Sequence, residues 1–339
     1  MDKNLQQKGG EMDIYHYNGL ERFADLFSGI GGFRLGLESY TSPRCLYSVD
    51  SDKHCAEMYS LNFNNCECVN DNIRNVKYIP EVDLICAGFP CQSFSVSGKS
   101  SAKDERNDLW KEILRLVLAC HKPPKALILE NVPRFLTIRN GKDFGSFKSA
   151  FEQAGYELYF DILNASHYGV PQSRRRLYCV LLHKNSGLKY HTPENHLLSK
   201  AMPYLDSIVE PADALIADSI CVDGTKVVWT YSKKLNYSCH PKPVRIGILN
   251  KGGQGQRVYS VYGHAVTQMA NGGGQGAKTG LYHIYGRVRQ LTFLEQKRVM
   301  GFPDTWHVSN GKEGRRQLGN AVIPKMTRII YKAITSKGD

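Results

Sequence analysis

Apolar residues in the first half of the chain follow two alternating patterns. Short runs rich in β-branched and aromatic residues, RFADLF, RCLYSVD, VDLICAGF, ALILENV and RLYCVLLH, predict strands with turn residues behind them. Between them, GGFRLGLESY, KHCAEMYSLNF and DLWKEILRLVLAC carry apolar positions at helical spacing. This alternation, from residue 22 to about 182, predicts an open, mostly parallel sheet of α/β class with helices on both faces. Ligands in such sheets bind beyond the carboxyl ends of the strands.

The pattern changes near His183. As far as Tyr285 the chain is richer in Gly, Tyr, Lys and Asn, with only short strand-like pieces such as KVVWTYS and RVYSVYG. The glycine clusters NKGGQG and NGGGQGAKTG suit either close approach of another backbone or flexible surface loops. Helical periodicity returns in LTFLEQKRVMGF, and NAVIPKMTRIIYKAI predicts a helix with its apolar face on a core. Three parts result: a flexible polar extension, 1–20; a large domain, 21–182 completed by 314–339; and a smaller, mostly β and loop domain, 183–313.

Composition narrows the partners. A formal net charge of +12 over 339 residues favours a polyanion, nucleic acid first, with a merely basic enzyme surface as the alternative. The ten cysteines are scattered and form no C-x-x-C pair, so neither a zinc site nor a disulfide framework is expected. The first twenty residues lack the apolar core of a signal peptide, and no apolar run is long enough for a membrane helix. Reduced thiols in a cytoplasmic compartment are the expectation.

Candidate chemistry gathers at the predicted strand ends. In FADLFSGIGGFRLGLE a strand ending at Phe27 meets Gly29, Gly31 and Gly32, which open a helix. Such a turn admits a ligand to the backbone, but a dinucleotide fingerprint needs glycine where Arg34 stands. Asp50 ends the next strand, at the distance expected of an acid that holds ribose hydroxyls. An adenosine-containing ligand with a small anionic group fits both. In LICAGFPCQSFSVSGKS, Cys86 lies inside the apolar run, whereas Cys91 follows a proline and opens a serine-rich loop. A thiol is only a few per cent thiolate at neutral pH, so a nucleophilic cysteine needs cations or N–H groups around it. Glu130 and Asn131 end ALILENV, where partial desolvation raises a carboxyl pKa; a cap or ion-pair role is the simpler alternative. In QSRRR, Arg174 and Arg176 share a strand face and Arg175 takes the other, so two guanidiniums can converge on carbonyl or phosphate oxygens.

DLFSGIGGF, GFPCQSFS, ENV and QSRRR, in this order, resemble the motifs of the cytosine-C5 methyltransferases that use S-adenosylmethionine; RQLTFLEQKRVMGFPDTW and QLGNAVIP resemble the last two. The resemblance runs from Arg22 to Lys332, and its bacterial members of restriction–modification type, including those that methylate GCGC, look most similar. It implies a Rossmann-like methyltransferase domain with a smaller target-recognition domain. It also implies methyl transfer from S-adenosylmethionine, with S-adenosylhomocysteine as product, to C5 of a flipped-out cytosine in double-stranded DNA. By resemblance, Cys91 adds to C6, Glu130 serves N3, Arg176 contacts O2 and Arg174 supports the active-site loop. Phe27, Gly29, Ile30, Gly32, Asp50, Ser51, Asn72, Ile73, Leu109 and Asn320 fall at cofactor positions. Two of these depart from the family pattern: Ser51 replaces an aromatic residue, and Asn72 replaces an acid. Ser95 and Ser97 fall at DNA phosphates, Gln254 near the space left by the flipped base, and Arg257 at a guanine edge. The resemblance implies no metal, a monomer acting beside a restriction endonuclease, and action at the bacterial nucleoid.

Three other readings bear on the same motifs. A related branch methylates tRNA. A nucleic-acid-binding protein that had lost catalysis would lack Cys91, Glu130 or Arg176, and all are present. A dinucleotide dehydrogenase fails on Arg34 and leaves Cys91 without a role.

Overall fold

The computed structural model describes residues 19–39, 43–64, 67–90, 108–194, 205–210, 227–230, 242–271, 276 and 279–336. Its larger sheet has seven strands: β1 (Arg22–Leu26), β2 (Arg44–Asp50), β3 (Val69–Asn70), β4 (Leu84–Ala87), β5 (Ala126–Asn131), β6 (Tyr156–Asn164) and β7 (Arg175–His183). Their order is β3-β2-β1-β4-β5-β7-β6. The first five are parallel, while β7 runs antiparallel to both neighbours.

Period-two alternation divides the strands between two apolar layers. Phe23, Leu84, Cys86, Ala126 and Ile128 enter one layer, beneath α1 (Gly32–Glu38) and α7 (Pro324–Lys332). Ala24, Leu26, Ile85, Ala87, Leu127 and Leu129 enter the other, beneath α3 (Leu109–Ala119) and α4 (Lys142–Gln153). A sheet buried on both faces needs apolar residues at every position, and β4 and β5 are accordingly buried throughout. Burying one such Leu or Ile side chain contributes about 1.5–3 kcal/mol.

The glycine-rich turn after β1 is shaped by the far end of the chain. A Cβ on Gly32 would lie 2.1 Å from the Val322 carbonyl oxygen, and one on Gly36 would lie 2.2 Å from that of Pro324. These two glycines therefore admit protein backbone rather than ligand. Arg34, on the same short helix, is buried: its Nε donates to Glu38 at 2.8 Å and its guanidinium lies 4.1 Å from the Phe63 ring centroid. Glu38 also accepts the Cys45 backbone N–H at 2.9 Å, so Arg34 fastens α1 to β2.

A second sheet, ordered β13-β12-β11-β10-β9, comprises β9 (Val227–Trp229), β10 (Arg245–Leu249), β11 (Arg257–Ser260), β12 (Leu281–Ile284) and β13 (Arg287–Arg289). α5 (Phe293–Met300) begins at a Thr292–Glu295 capping box beside it. Arg289 and Glu295, both fully buried, join strand to helix through contacts of 2.7 and 2.8 Å. β8 (Leu188–Tyr190) pairs antiparallel with β14 (Ile334–Ser336), and Phe302 and Trp306 pack into the core of the large sheet.

Candidate active site

The carboxyl ends of β1, β2, β4 and β5 open on one cleft of about 350 Å³, bordered on the far side by α6 (Gly311–Asn320). Phe27, Asp50, Ser51 and Pro90 also line a neighbouring hollow of about 250 Å³, completed by Val49, Asp71, Asn72, Ile73, Arg74 and Leu109. Phe27 bends the chain into this turn with a positive φ of 54°, a conformation uncommon outside glycine.

Asp50 stands at the junction of the two hollows. Its Oδ2 accepts the Gly29 N–H at 2.8 Å and its Oδ1 accepts that of Asp52 at 2.8 Å. Burial raises its pKa against these hydrogen bonds. The carboxylate is thus oriented by backbone and turned to the cleft. Asn72 caps the short turn Ile73–Asn75, its side-chain oxygen accepting the Arg74 N–H at 3.1 Å.

At the other end of the cleft, Glu130 Oε1 meets Arg176 Nε at 3.0 Å, with both side chains mostly buried. Glu130 Oε2 faces Gly88, 4.0 Å from where a Cβ would sit there. Neighbouring Asn131 holds the β4 exit by donating to the Phe89 carbonyl at 3.2 Å. Arg174 lies just before β7 and is 3% exposed. It donates to the carbonyls of Gln268 at 2.9 Å, Gly319 at 3.0 Å and Ala321 at 2.9 Å. Burial, and then the adjacent Arg176, push its pKa down to about 9, which still leaves it charged at neutral pH. Its Nε is buried without a partner among the described residues.

Of the sequence-predicted positions, Phe27, Gly29, Asp50, Ser51, Asn72, Ile73, Leu109, Glu130, Arg174, Arg176 and Asn320 line the two joined hollows. Ile30 and Gly32 do not. The Ile30 side chain is in the core and its carbonyl accepts the Trp306 indole N–H at 3.1 Å, while Gly32 lies under Val322. Cys91, Ser95 and Ser97 lie outside the described residues, as does the side chain of Gln254. Arg257 begins β11 and borders a separate hollow of about 300 Å³ with Ser173, Tyr259 and Thr267; its Nε is buried without a partner among the described residues. Sequence reasoning missed Arg316, which lines the cleft and pairs with Asp52 and Glu313. Its spacing of four from Asn320, on one helix face, was the available signal.

The family description C-5 cytosine-specific DNA methylase matches residues 21–336. The chain belongs to that family. The Type II methyltransferase M.HhaI of Haemophilus parahaemolyticus is 38% identical over 315 residues, covering 91% of this chain and 92% of that one. Type II methyltransferase M.NgoBI of Neisseria gonorrhoeae is 31% identical over 324 residues, covering 92% and 95%. In fold, this methylase superposes on the S. pombe Dnmt2 methyltransferase with a TM-score of 0.67 at 17% identity, covering 92% of this chain and 96% of the other. A putative DNA modification methyltransferase encoded within an E. coli prophage gives 0.66 at 20%, covering 92% and 98%. The chain is thus a DNA cytosine-5-methyltransferase of restriction–modification type. Among the described residues, no helix is long and apolar enough to cross a membrane.

Proposed function

We propose that this methylase transfers a methyl group from S-adenosylmethionine to C5 of a cytosine swung out of a short, specific duplex sequence. The observation that carries the reading is the Glu130–Arg176 pair sharing one cleft with Asp50, so that base chemistry and a ribose-binding acid face each other. The donor set suits the cofactor. Asp50 offers a fixed acceptor to ribose hydroxyls, and Phe27, Ile73 and Leu109 offer apolar walls to a purine. When bound, S-adenosylmethionine supplies an electrophilic methyl on a sulfonium and leaves as S-adenosylhomocysteine.

The chain's own residues prepare the base. The Cys91 thiolate adds to C6, and the ring π electrons shift to C5 as Glu130 Oε2 serves N3. Arg176 holds Glu130 through Oε1 and offers its remaining N–H groups to the cytosine O2. C5 then forms its bond to the methyl carbon. Water takes the C5 proton, the electron pair of that C–H bond forms the C5–C6 double bond, and the C6–S bond breaks to release the Cys91 thiolate. A stacked base is out of reach of this cleft, so the nucleotide must leave the duplex. Ser95 and Ser97 would then bind phosphate, while Gln254 and Arg257 read the site, Arg257 at a guanine edge.

The division we propose places 21–182 with 314–339 as the catalytic domain and 183–313 as the target-recognition domain, acting as a monomer in the bacterial cytoplasm beside a cognate restriction endonuclease. Methyl transfer from radiolabelled S-adenosylmethionine, offered to unmethylated genomic DNA and separately to bulk tRNA, tests the reading. Label at cytosine in DNA, lost in Cys91→Ser, is expected; label in tRNA alone, or full activity in Cys91→Ser, overturns it.

A further inference from the structure

β6 is the outer strand of the large sheet, and one side of it has no strand partner among the described residues. It pairs with β7 without a shift in register, from Tyr156 opposite His183 to Asn164 opposite Arg175. Two flanking bonds of 3.0 Å, Lys184 N–H to the Gly155 carbonyl and Ala165 N–H to the Arg174 carbonyl, fix which positions bond inward. Antiparallel pairs alternate, so the odd positions of β6 exchange hydrogen bonds with β7 and the even ones turn N–H and C=O outward. Leu158, Phe160 and Ile162, all even, put their side chains on the α4 face of the sheet. Phe160 is 45% exposed and Ile162 39%, and the Phe160 ring lies 5.1 Å from that of Phe144 on α4. A long apolar edge of this kind is a template for another strand.

We infer that β6 pairs with β6 of a second copy of this chain, antiparallel about a twofold axis through Phe160. The pairing goes beyond the methyl-transfer reading and does not depend on it. The strand sequence YELYFDILN suits its own copy. With Phe160 opposite Phe160 of the second copy, Leu158 falls opposite Ile162 and Tyr156 opposite Asn164. All of these are outward-bonding positions, and the apolar ladder runs unbroken across the junction. On the other face Glu157 meets Leu163 and Asp161 meets Tyr159, so no acid directly faces an acid. A slip of one residue sets Glu157 opposite Asp161, or Asp161 opposite its own copy. It also brings to the junction the odd positions, whose backbone groups are already bonded to β7. The register is thus self-complementary, as an isologous contact requires. β6 runs parallel to β5, so the clefts of the two copies open at opposite ends of the joined sheet. Each copy keeps its cleft whole and remains a single catalytic unit.

Sedimentation equilibrium of the full chain without DNA tests this. A monomer–dimer equilibrium with a micromolar dissociation constant is expected, as suits a small interface. Phe160→Lys sets like charges across the axis and should weaken the dimer about tenfold or more, with circular dichroism unchanged. Leu61 is also exposed, but on α2 (Lys53–Asn62), which packs on β2 and β3 at the other side of the sheet. Leu61→Lys should therefore leave the dissociation constant within about twofold. Phe160→Cys tests the register: Cα atoms of directly opposed, hydrogen-bonded residues lie about 5.5 Å apart, within reach of a disulfide. Under mild oxidation it should give more covalent dimer than either the unsubstituted chain or Tyr159→Cys, and this comparison decides if Phe160→Lys fails to fold. A monomer at every concentration, a dimer indifferent to Phe160→Lys, or equal cross-linking at positions 159 and 160 overturns the inference.

Discussion

Asp25 lies in the middle of β1 with no exposure, its Oδ2 accepting the Tyr59 hydroxyl at 3.2 Å and its Oδ1 without a partner among the described residues. Burial raises its pKa well above the ordinary carboxylate value, outweighing the Tyr59 hydrogen bond and the field of Arg34. The stability that a raised pKa contributes is fully present below the unfolded pKa and is lost as pH rises through the folded value. Asp25→Asn, which mimics the neutral acid, should therefore gain stability relative to the unsubstituted chain as pH rises from 5 to 9. Urea midpoints at the two pH values check this, and parallel profiles would refute it. Asp25 shows how residue-scale legibility divides. Its neighbours in sequence, Phe27, Gly29 and the distant Asp50, were readable because strand ends and a glycine turn have local signatures. The environment of Asp25 depends on Tyr59 and Arg34 arriving from separate helices, and Arg316 depends on Asp52, 264 positions away. Nothing local marks such pairs.

At the scale of elements, burial imposed a readable pattern on β1, β2, β4, β5 and β7, with α1, α2, α3, α5 and α7, and the short strands β9 and β11 were readable as well. β6 escaped because it is the sheet edge and leaves Phe160 and Ile162 exposed, which blurs the alternation of YELYFDILN. α6 escaped because three glycines interrupt GKEGRRQLGN, although its Lys, Glu, Arg, Gln and Leu favour a helix. Its Gly314 lies against the Ser309 carbonyl and its Gly319 against the Met269–Ala270 backbone, so close packing rather than propensity places it. The same reasoning governs the seam between α1 and the segment entering α7. Gly36→Ala forces a Cβ against the Pro324 carbonyl and the Thr327 side chain, and should destabilise the protein by about 1–3 kcal/mol. Equilibrium urea unfolding measures it, and a loss below about 0.5 kcal/mol would mean that the seam yields freely.

For the whole molecule, the net charge of +12 acts on DNA through its phosphates, on different terms from the base contact proposed for Arg257 on the second sheet. Phosphate contacts release counterions and weaken steeply with salt, whereas a base contact does not depend on them. Arg257→Ala should reduce discrimination between preferred and random duplexes by about 1–3 kcal/mol while leaving the salt slope of random-duplex binding nearly unchanged. Competition binding across a salt series separates the two, and an altered slope with intact discrimination would assign Arg257 to phosphate. The sheet and its strand-end site could be read from sequence, but the wall that closes the cleft could not, because it comes from the opposite end of the chain. Arg316, Asn320 and Ala321 complete a cleft begun by Phe27 and Gly29. That arrangement makes the cleft depend on residues synthesised long after its strands. A nascent chain that has made Cys91, Glu130, Arg174 and Arg176 still lacks one side of the cleft. A product broken off before residue 316 is therefore expected to be silent rather than a partly active methylase.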